Sequence, residues 1–221
     1  MVEVKFCGLM REEDAEAAAH LGARYCGVVF AGGPRSLTPR DARRVLSAAG
    51  SEVAHVGVVA RHSPEELRSL ADEAGLDVIQ LHADPDAHQV ERARAATGRA
   101  IWAAVRVADR ALPDRFDALC EVADAVVLDT FSPVALGGTG TPLNWEWLGA
   151  ALSERGRGCG GGERAMIALA GGLRPENVAE AVRLLRPRIV DVSSGVEAAP
   201  GRKDHERMRA FIEAARAGTS S

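Results

Sequence analysis

Eight short strand-like segments alternate with helix-like segments along the chain, and this alternation constrains the fold more than any other feature. Several of the strand-like segments are rich in valine and isoleucine, and they end at glycine, serine or a charged residue. The predicted strands occupy residues 2–7, 24–30, 53–60, 77–81, 100–107, 124–129, 166–170 and 188–192. Strands that alternate with helices in this way form a parallel sheet, and eight of them can close into a barrel.

The segments between the strands carry helix start and stop signals. Thr38 is followed by a proline at the first helical position, and Ser63 is followed three residues later by Glu66. Both patterns are typical of capped helix N-termini. Gly75 marks the end of the second of these helices. The fifth helix is predicted within residues 109–122.

Two folds fit a chain of alternating strands and helices. A doubly wound sheet usually has a G-x-G-x-x-G fingerprint after its first strand, and the residues from Gly8 onward do not supply it. A (β/α)8 barrel typically needs about 250 residues and at least about 200, so a chain of 221 residues fits a compact one. We therefore predict a single-domain (β/α)8 TIM barrel over residues 1–221, with a glycine-rich surface loop at 156–162 and a C-terminal tail at 217–221.

Composition excludes several function classes. The net charge of −4 argues against a general nucleic-acid binder, which needs a basic surface. No apolar stretch approaches the roughly 20 residues that cross a bilayer, and no signal-peptide pattern opens the chain. The four cysteines have no C-x-x-C spacing, so neither a zinc knuckle nor a disulfide framework is indicated. We expect a cytoplasmic protein that binds neither nucleic acid nor membrane.

A thiol and a carboxyl stand at strand ends, where they can move protons. Cys7 ends the first strand and Asp129 ends the sixth. Because side chains alternate along a strand, Lys5 and Cys7 share the polar face of the first strand and should point into the barrel. Most unpaired cysteines are simply small buried hydrophobes. The polar strand face and the C-terminal rim, where TIM-barrel active sites lie, favour a catalytic role for Cys7.

Other titratable side chains on the strands have candidate supporting roles. A charged Lys5 inside a barrel needs a partner, and the candidates are Asp129 and Asp191. His82 follows the fourth strand. It either lines the rim or is a structural histidine.

Three small-residue turns follow the later strands. They contain Gly138 and Gly140 after strand six, Gly171 and Gly172 after strand seven, and Ser193, Ser194 and Gly195 after strand eight. Phosphate sites in TIM barrels often use the loops after strands seven and eight with a short extra helix. Exposed amides and helix N-termini bind anions without a net positive protein. The sequence thus predicts an acid–base enzyme acting on a small phosphorylated molecule.

Several motifs, in the same order along the chain, resemble phosphoribosylanthranilate isomerase of tryptophan biosynthesis. The resemblance runs from residue 5 to about residue 212 and rests on Lys5-Phe6-Cys7-Gly8, Gly27-Val28-Val29-Phe30, Pro34-Arg35-Ser36, Gln80-Leu81-His82, Leu128-Asp129, Ala170-Gly171-Gly172 and Asp191-Val192-Ser193-Ser194-Gly195-Val196-Glu197. The chain departs from the family pattern at Ala83, where glycine is usual, at Val59, where phenylalanine is common, and in the 156–162 segment.

The resemblance implies an Amadori rearrangement of an aminoaldose phosphate to 1-(2-carboxyphenylamino)-1-deoxyribulose 5-phosphate, without metal or redox cofactor, by a monomer or homodimer. It implies that Asp129 is the general acid, Cys7 the general base and Arg35 the group that holds the anthranilate carboxylate. An acid active at neutral pH needs a raised pKa, so we expect bound substrate to desolvate Asp129 partially. We expect Lys5 or a helix N-terminus to favour the Cys7 thiolate, and Lys5 to lie nearer Asp191 or Cys7 than Asp129.

Two other functions stay open. A related isomerase accepts the aminoaldose of histidine biosynthesis, but that enzyme type normally has aspartate at the end of strand one, where this chain has Cys7. The second alternative is a non-catalytic barrel that binds a phosphorylated metabolite as a sensor or assembly partner.

Overall fold

The computed structural model describes residues 1–107, 111–129, 145–154 and 165–219. Within them, eight parallel strands form one closed barrel in sequence order. The strands are β1 (Glu3–Phe6), β2 (Tyr25–Val29), β3 (Ala54–Val59), β4 (Val78–Leu81), β5 (Ala100–Arg106), β6 (Ala125–Asp129), β7 (Met166–Ala170) and β8 (Ile189–Val192). β1 closes the barrel by pairing with β8, with Lys5 opposite Asp191. The predicted (β/α)8 barrel is confirmed.

Helices surround this barrel. They are α1 (Glu12–His20), α2 (Pro39–Ala48), α3 (Pro64–Ala74), α4 (Ala87–Thr97), α5 (Phe116–Val122), α6 (Trp145–Glu154), α7 (Val178–Leu185) and α8 (His205–Ala217). The helix expected within residues 109–122 is α5. The 156–162 segment lies outside the described residues, and the predicted tail begins only after α8, which still includes Ala217. No helix among the described residues is long and apolar enough to cross a membrane.

The predicted helix caps of α2 and α3 are present. Thr38 accepts a hydrogen bond from the Asp41 backbone N–H at 3.1 Å. Ser63 and Glu66 form a reciprocal capping box. Such caps stabilise a helix by about 1 kcal/mol each. Gly75 adopts a left-handed φ of 68° and ends α3 where the sequence predicts.

The strand alternation produces two apolar layers. Val4 and Phe6 of β1 pack outward against the helices and are buried. A second cluster fills the inside of the barrel with residues such as Tyr25, Trp102 and Val127. The rings of Tyr25 and Trp102 meet edge-on at 4.9 Å between centroids. This cluster fills much of the barrel interior, and the C-terminal rim above it is where TIM-barrel active sites lie.

The chain after β8 forms a compact substructure on that rim. A 3₁₀ turn over Ser194–Val196 leads into a small antiparallel pair of strands, β9 (Glu197–Ala199) and β10 (Arg202–Lys203). The pairing places Lys203 opposite Glu197. This 3₁₀ turn follows β8, where phosphate sites of TIM barrels often have a short extra helix.

The structure differs at one cysteine from the expectation that no disulfide framework is present. Cys7 and Cys26 are free thiols. Cys120 is disulfide-bonded, and nothing in the cysteine spacing indicated that bond.

Candidate active site

Cys7 and Asp129 both stand at the C-terminal rim of the barrel. The Cys7 backbone N–H donates to the Val192 carbonyl at 2.9 Å, which fixes the end of β1 against β8. Asp129 is the last residue of β6. Lys5 and Asp191 act electrostatically on both groups, so all four belong to one site.

Gly27 on β2 makes room for the side chains of β1. A Cβ at this position would lie 3.0 Å from Lys5 Cε and 3.3 Å from Cys7 Sγ. A larger residue here would therefore displace the side chains of Lys5 and Cys7. Gly27 stands in a motif of the family, but its steric role becomes visible only in the structure.

Lys5 is fully buried inside the barrel and has two hydrogen-bond partners. Its Nζ donates to Asp191 Oδ2 at 2.6 Å and to Gln80 Oε1 at 2.8 Å. Nζ also lies 5.9 Å from the centroid of the Trp102 ring. Burial alone would lower the pKa of Lys5, but Asp191 and Cys7 together outweigh that effect and the pKa is raised. Lys5 is thus a permanent cation, and the predicted pairing with Asp191 is confirmed.

Removing this cation should destabilise the barrel. In Lys5→Met, the Asp191 carboxylate loses its charged partner, so we expect the free energy of unfolding to fall by about 3 kcal/mol. Urea denaturation at pH 7 measures it. The double variant Lys5→Met/Asp191→Asn removes both charges and should lose less than Lys5→Met alone. Parental stability and activity in Lys5→Met would contradict a structural role for the pair.

Burial and three charged neighbours act on the pKa of the Cys7 thiol. Burial raises the pKa of the Cys7 thiol, Lys5 and Lys203 lower it, and Asp191 adds to the rise. Lys5 favours the thiolate, as expected from the sequence. The pKa nevertheless lies above the ordinary value, because burial is the largest effect and the Asp191 carboxylate acts in the same direction.

Asp129 has a raised pKa, as expected for a general acid. Burial raises it, the nearby Asp191 carboxylate adds to this, and His82, Arg106 and Lys5 act in the opposite direction. His82 Nε2 lies 3.5 Å from Asp129 Oδ2, so His82 does line the rim beside the candidate acid. The protein itself therefore supplies the desolvation that we expected from bound substrate.

Asp191 keeps one carboxylate oxygen unused. Its Oδ2 accepts from Lys5, while the buried Oδ1 has no hydrogen-bond partner among the described residues. A buried acceptor of this kind costs free energy unless a ligand or water satisfies it. Asp191 therefore offers an acceptor at the rim for a hydroxyl group.

Arg35 lies beside Cys7, on the turn that follows β2. Its side chain crosses Gly8, because a Cβ on Gly8 would lie 2.7 Å from Arg35 Cδ. Its Nε and Nη2 donate to Glu197 Oε1 and Oε2 at 2.8 and 2.6 Å. The sequence predicted Arg35 as an anion-binding residue but gave no sign of Glu197 as its partner.

The turns after β7 and β8 form a shared surface. Gly171 and Gly172 have left-handed φ values of 83° and 65°. The amide of Asn177 donates to the Gly172 carbonyl at 3.0 Å and fixes this turn. A Cβ on Gly195 would collide with the Leu173 carbonyl oxygen, so the two turns touch. Gly138 and Gly140 lie outside the described residues.

The contact between the turns gives a testable expectation. Gly195→Ala should displace the 3₁₀ turn from the Leu173 carbonyl and weaken the affinity for inorganic phosphate about tenfold, because one or more backbone donors move. Isothermal titration calorimetry measures this affinity. Ser47→Ala, at an exposed position of α2, is the control and should leave the affinity unchanged. Equal affinities in both variants would show that these turns do not bind the phosphate.

A thiol and a carboxyl share one barrel rim with glycine-rich turns, an arrangement typical of a TIM-barrel enzyme of acid–base chemistry. Comparison with known proteins gives the family. The family model for N-(5'phosphoribosyl)anthranilate (PRA) isomerase matches residues 4–214. The chain belongs to this family, and it is therefore an isomerase.

Individual relatives agree over nearly the full length. The N-(5'-phosphoribosyl)anthranilate isomerase of Rubrobacter xylanophilus is 40% identical over 217 residues, which cover 98% of this chain and 100% of the relative. Among solved structures, the enzyme from Thermotoga maritima has a TM-score of 0.85 at 34% identity, covering 98% of this chain and 99% of that one. A phosphoribosyl anthranilate isomerase in complex with reduced 1-(o-carboxyphenylamino)-1-deoxyribulose 5-phosphate has a TM-score of 0.82 at 33% identity, with the same coverage.

Proposed function

We propose that this chain converts N-(5'-phosphoribosyl)anthranilate to 1-(2-carboxyphenylamino)-1-deoxyribulose 5-phosphate in tryptophan biosynthesis. The observation that carries the proposal is the placement of Cys7 and Asp129 on one rim, linked by the Lys5–Asp191 pair. The reaction needs one acid and one base, and this rim offers one of each. Membership of the family supports the same assignment.

The acid step uses Asp129. Its raised pKa increases the protonated fraction near neutral pH, so the carboxyl can donate a proton to the furanose ring oxygen. The C1′–O bond then breaks, the ring opens, and the nitrogen lone pair forms the C=N bond of a protonated Schiff base. Asp129 ends this step as a carboxylate.

The base step uses Cys7. The thiolate removes the proton from C2′, the C–H electrons form a C1′=C2′ double bond, and the C=N electrons return to nitrogen. The resulting enolamine tautomerises to the ketone. Lys5 and Lys203 lower the pKa of the thiol against the effect of burial, and they stabilise the thiolate while it acts. A positioned acid or base typically contributes 10²- to 10⁴-fold in rate.

The remaining polar groups suit the rest of the substrate. The Arg35 guanidinium matches a planar carboxylate and would hold that of the anthranilate ring. The turns at Gly171-Gly172 and Ser193-Ser194-Gly195, together with Gly138 and Gly140, would bind the phosphate through backbone N–H groups. The free Oδ1 of Asp191 would accept a sugar hydroxyl.

We also infer the setting of the reaction. The enzyme works in the cytoplasm as a single domain over residues 1–221, and its partner is the small phosphorylated substrate rather than nucleic acid or membrane. It needs no metal or redox cofactor, because proton transfer alone completes the rearrangement. A monomer or a homodimer would serve. One solved relative from Thermotoga maritima is described as a monomer generated from a dimeric enzyme.

A fluorescence assay tests the proposal. Phosphoribosylanthranilate is made freshly from anthranilate, and its fluorescence should disappear at a rate proportional to enzyme concentration. The aminoaldose of histidine biosynthesis is offered to the same preparation. Faster turnover of that aminoaldose would favour the histidine-pathway alternative. Tight binding of phosphoribosylanthranilate without consumption would favour a non-catalytic barrel.

A further inference from the structure

Glu197 holds two cations at once, at the junction of Arg35 with the turn after β8. Both of its carboxylate oxygens accept from Arg35, and Oε1 also accepts from Lys203 Nζ at 3.0 Å. The Glu197 side chain is only 5% exposed. Burial raises its pKa, but the hydrogen bonds from Arg35 and Lys203 outweigh burial and lower the pKa to about 2. Glu197 is thus ionised at every pH at which the enzyme works.

The pair with Glu197 uses only one edge of the Arg35 guanidinium. Nε and Nη2 form the edge that faces Glu197, and a guanidinium has five N–H donors in all. Within the described residues, the structure gives Nη1 no hydrogen bond. The Arg35 side chain is 25% exposed, so its outer edge remains accessible to a second carboxylate. A planar group fixed along one edge presents the other edge in a fixed direction.

Lys203 ties the same carboxylate to the turn after β8. Its Nζ donates to the Ser193 carbonyl at 3.1 Å as well as to Glu197. The Lys203 backbone N–H donates to Asp14 Oδ2 at 3.1 Å, which fixes β10 against α1. Glu197 and Lys203 therefore connect Arg35 to Ser193, at the start of the 3₁₀ turn, through four part-buried charge-assisted hydrogen bonds. This network joins Arg35, the candidate carboxylate-binding residue, to the candidate phosphate-binding turn after β8.

We propose that Glu197 is a positioning residue that orients the outer edge of Arg35 toward the ring carboxylate of the substrate. The inference rests on the proposed function, because it takes Arg35 as the carboxylate-binding residue. Both carboxylate oxygens of Glu197 are engaged by Arg35 and Lys203. Its effect reaches the substrate only through Arg35, so it should alter recognition of the carboxylate and leave the rest of the ligand unaffected.

Two analogues isolate this effect. The first is the reduced product, 1-(2-carboxyphenylamino)-1-deoxyribitol 5-phosphate, and the second is the same compound without the ring carboxylate. Isothermal titration calorimetry on the full chain gives Kd for both. In Glu197→Gln, we expect the carboxylate-bearing analogue to bind about tenfold more weakly, which is part of the strength of a charge-assisted hydrogen bond. The carboxylate-free analogue should change by less than about twofold.

Controls separate positioning from folding. The ratio of the two Kd values comes from one preparation, so partial unfolding of Glu197→Gln cannot change it. Glu197→Asp keeps the charge and should give an intermediate ratio. Glu213→Gln removes an exposed carboxylate of α8 and should leave the ratio parental. In steady-state assays, Glu197→Gln should raise KM far more than it lowers kcat.

Several results would overturn the inference. Unchanged or tighter binding of the carboxylate-bearing analogue in Glu197→Gln would do so, because the free Arg35 would then bind at least as well without its partner. An equal loss for both analogues would show a general structural role instead. A parent that binds both analogues equally contradicts the role of Arg35, and the inference falls with it. Failure of the proposed function is distinct, because it appears as a parent that binds but does not consume phosphoribosylanthranilate.

Discussion

Replacement of Cys7 by alanine is expected to lower kcat by roughly 10²- to 10⁴-fold, the range that a positioned general base contributes. The physical reason is that, among the described residues, no other thiol or free base stands at the end of β1 to remove the proton from C2′. Substrate binding should survive, because the carboxylate and phosphate contacts involve other residues. Single-turnover fluorescence of phosphoribosylanthranilate measures the rate, and calorimetry with the reduced product measures binding.

Cys26→Ala is the matched control for this substitution. Cys26 is also a free thiol, but it is buried in the layer between barrel and helices, where burial raises its pKa to about 12. Its removal should leave kcat within about twofold of the parent, since it does not reach the rim. If Cys7→Ala retained a parental rate, Cys7 would have no part in the chemistry.

Replacement of Asp129 by asparagine should have an effect of the same size. The amide keeps the shape of the carboxyl but cannot protonate the ring oxygen, so ring opening loses its acid and kcat falls by roughly 10²- to 10⁴-fold. The same single-turnover assay measures it. Asp114→Asn, at an exposed position of the chain before α5, is the control and should retain activity. A parental rate in Asp129→Asn would assign the acid to another group.

The two pKa shifts also fix the shape of the pH profile. The pKa of Asp129 is raised from 3.8 and that of Cys7 from 9.0. The proposed mechanism needs Asp129, the stronger acid, in its protonated form and Cys7, the weaker acid, in its ionised form. Between the two pKa values, the gain in thiolate with pH cancels the loss of protonated Asp129, and kcat/KM should be flat. In Asp129→Asn that compensation is gone, so the residual kcat/KM should rise about tenfold per pH unit. A flat profile in Asp129→Asn would contradict this assignment of acid and base.

Much of the fold could be predicted from short-range patterns in the sequence. Each predicted strand appears within about two residues of its expected limits, because the alternation of side chains and the helix caps act locally. The same alternation placed Lys5 inside the barrel. The choice of Asp191 as its partner follows from the closure of β1 on β8, which an eight-stranded barrel requires.

The features that could not be predicted from the sequence depend on contacts between distant segments. Gln80 completes the environment of Lys5 across 75 residues of chain, and Glu197 meets Arg35 across 162. Both stand in motifs of the family, but nothing in their local pattern names their partners. The net direction of the Cys7 pKa shift could not be predicted for a related reason, although the effect of Lys5 could. Burial, Lys5 and Asp191 act on the thiol with opposite signs, and only distances decide which one prevails.

The central claim is that one thiol and one carboxyl act on the same sugar from the same barrel rim. A crystal structure of the chain with the reduced product bound tests this most directly. We expect Cys7 Sγ to lie about 3–3.5 Å from C2′, and a carboxylate oxygen of Asp129 to lie at hydrogen-bond distance from the oxygen that closes the furanose ring. A bound ligand whose sugar lies out of reach of either group would contradict the account.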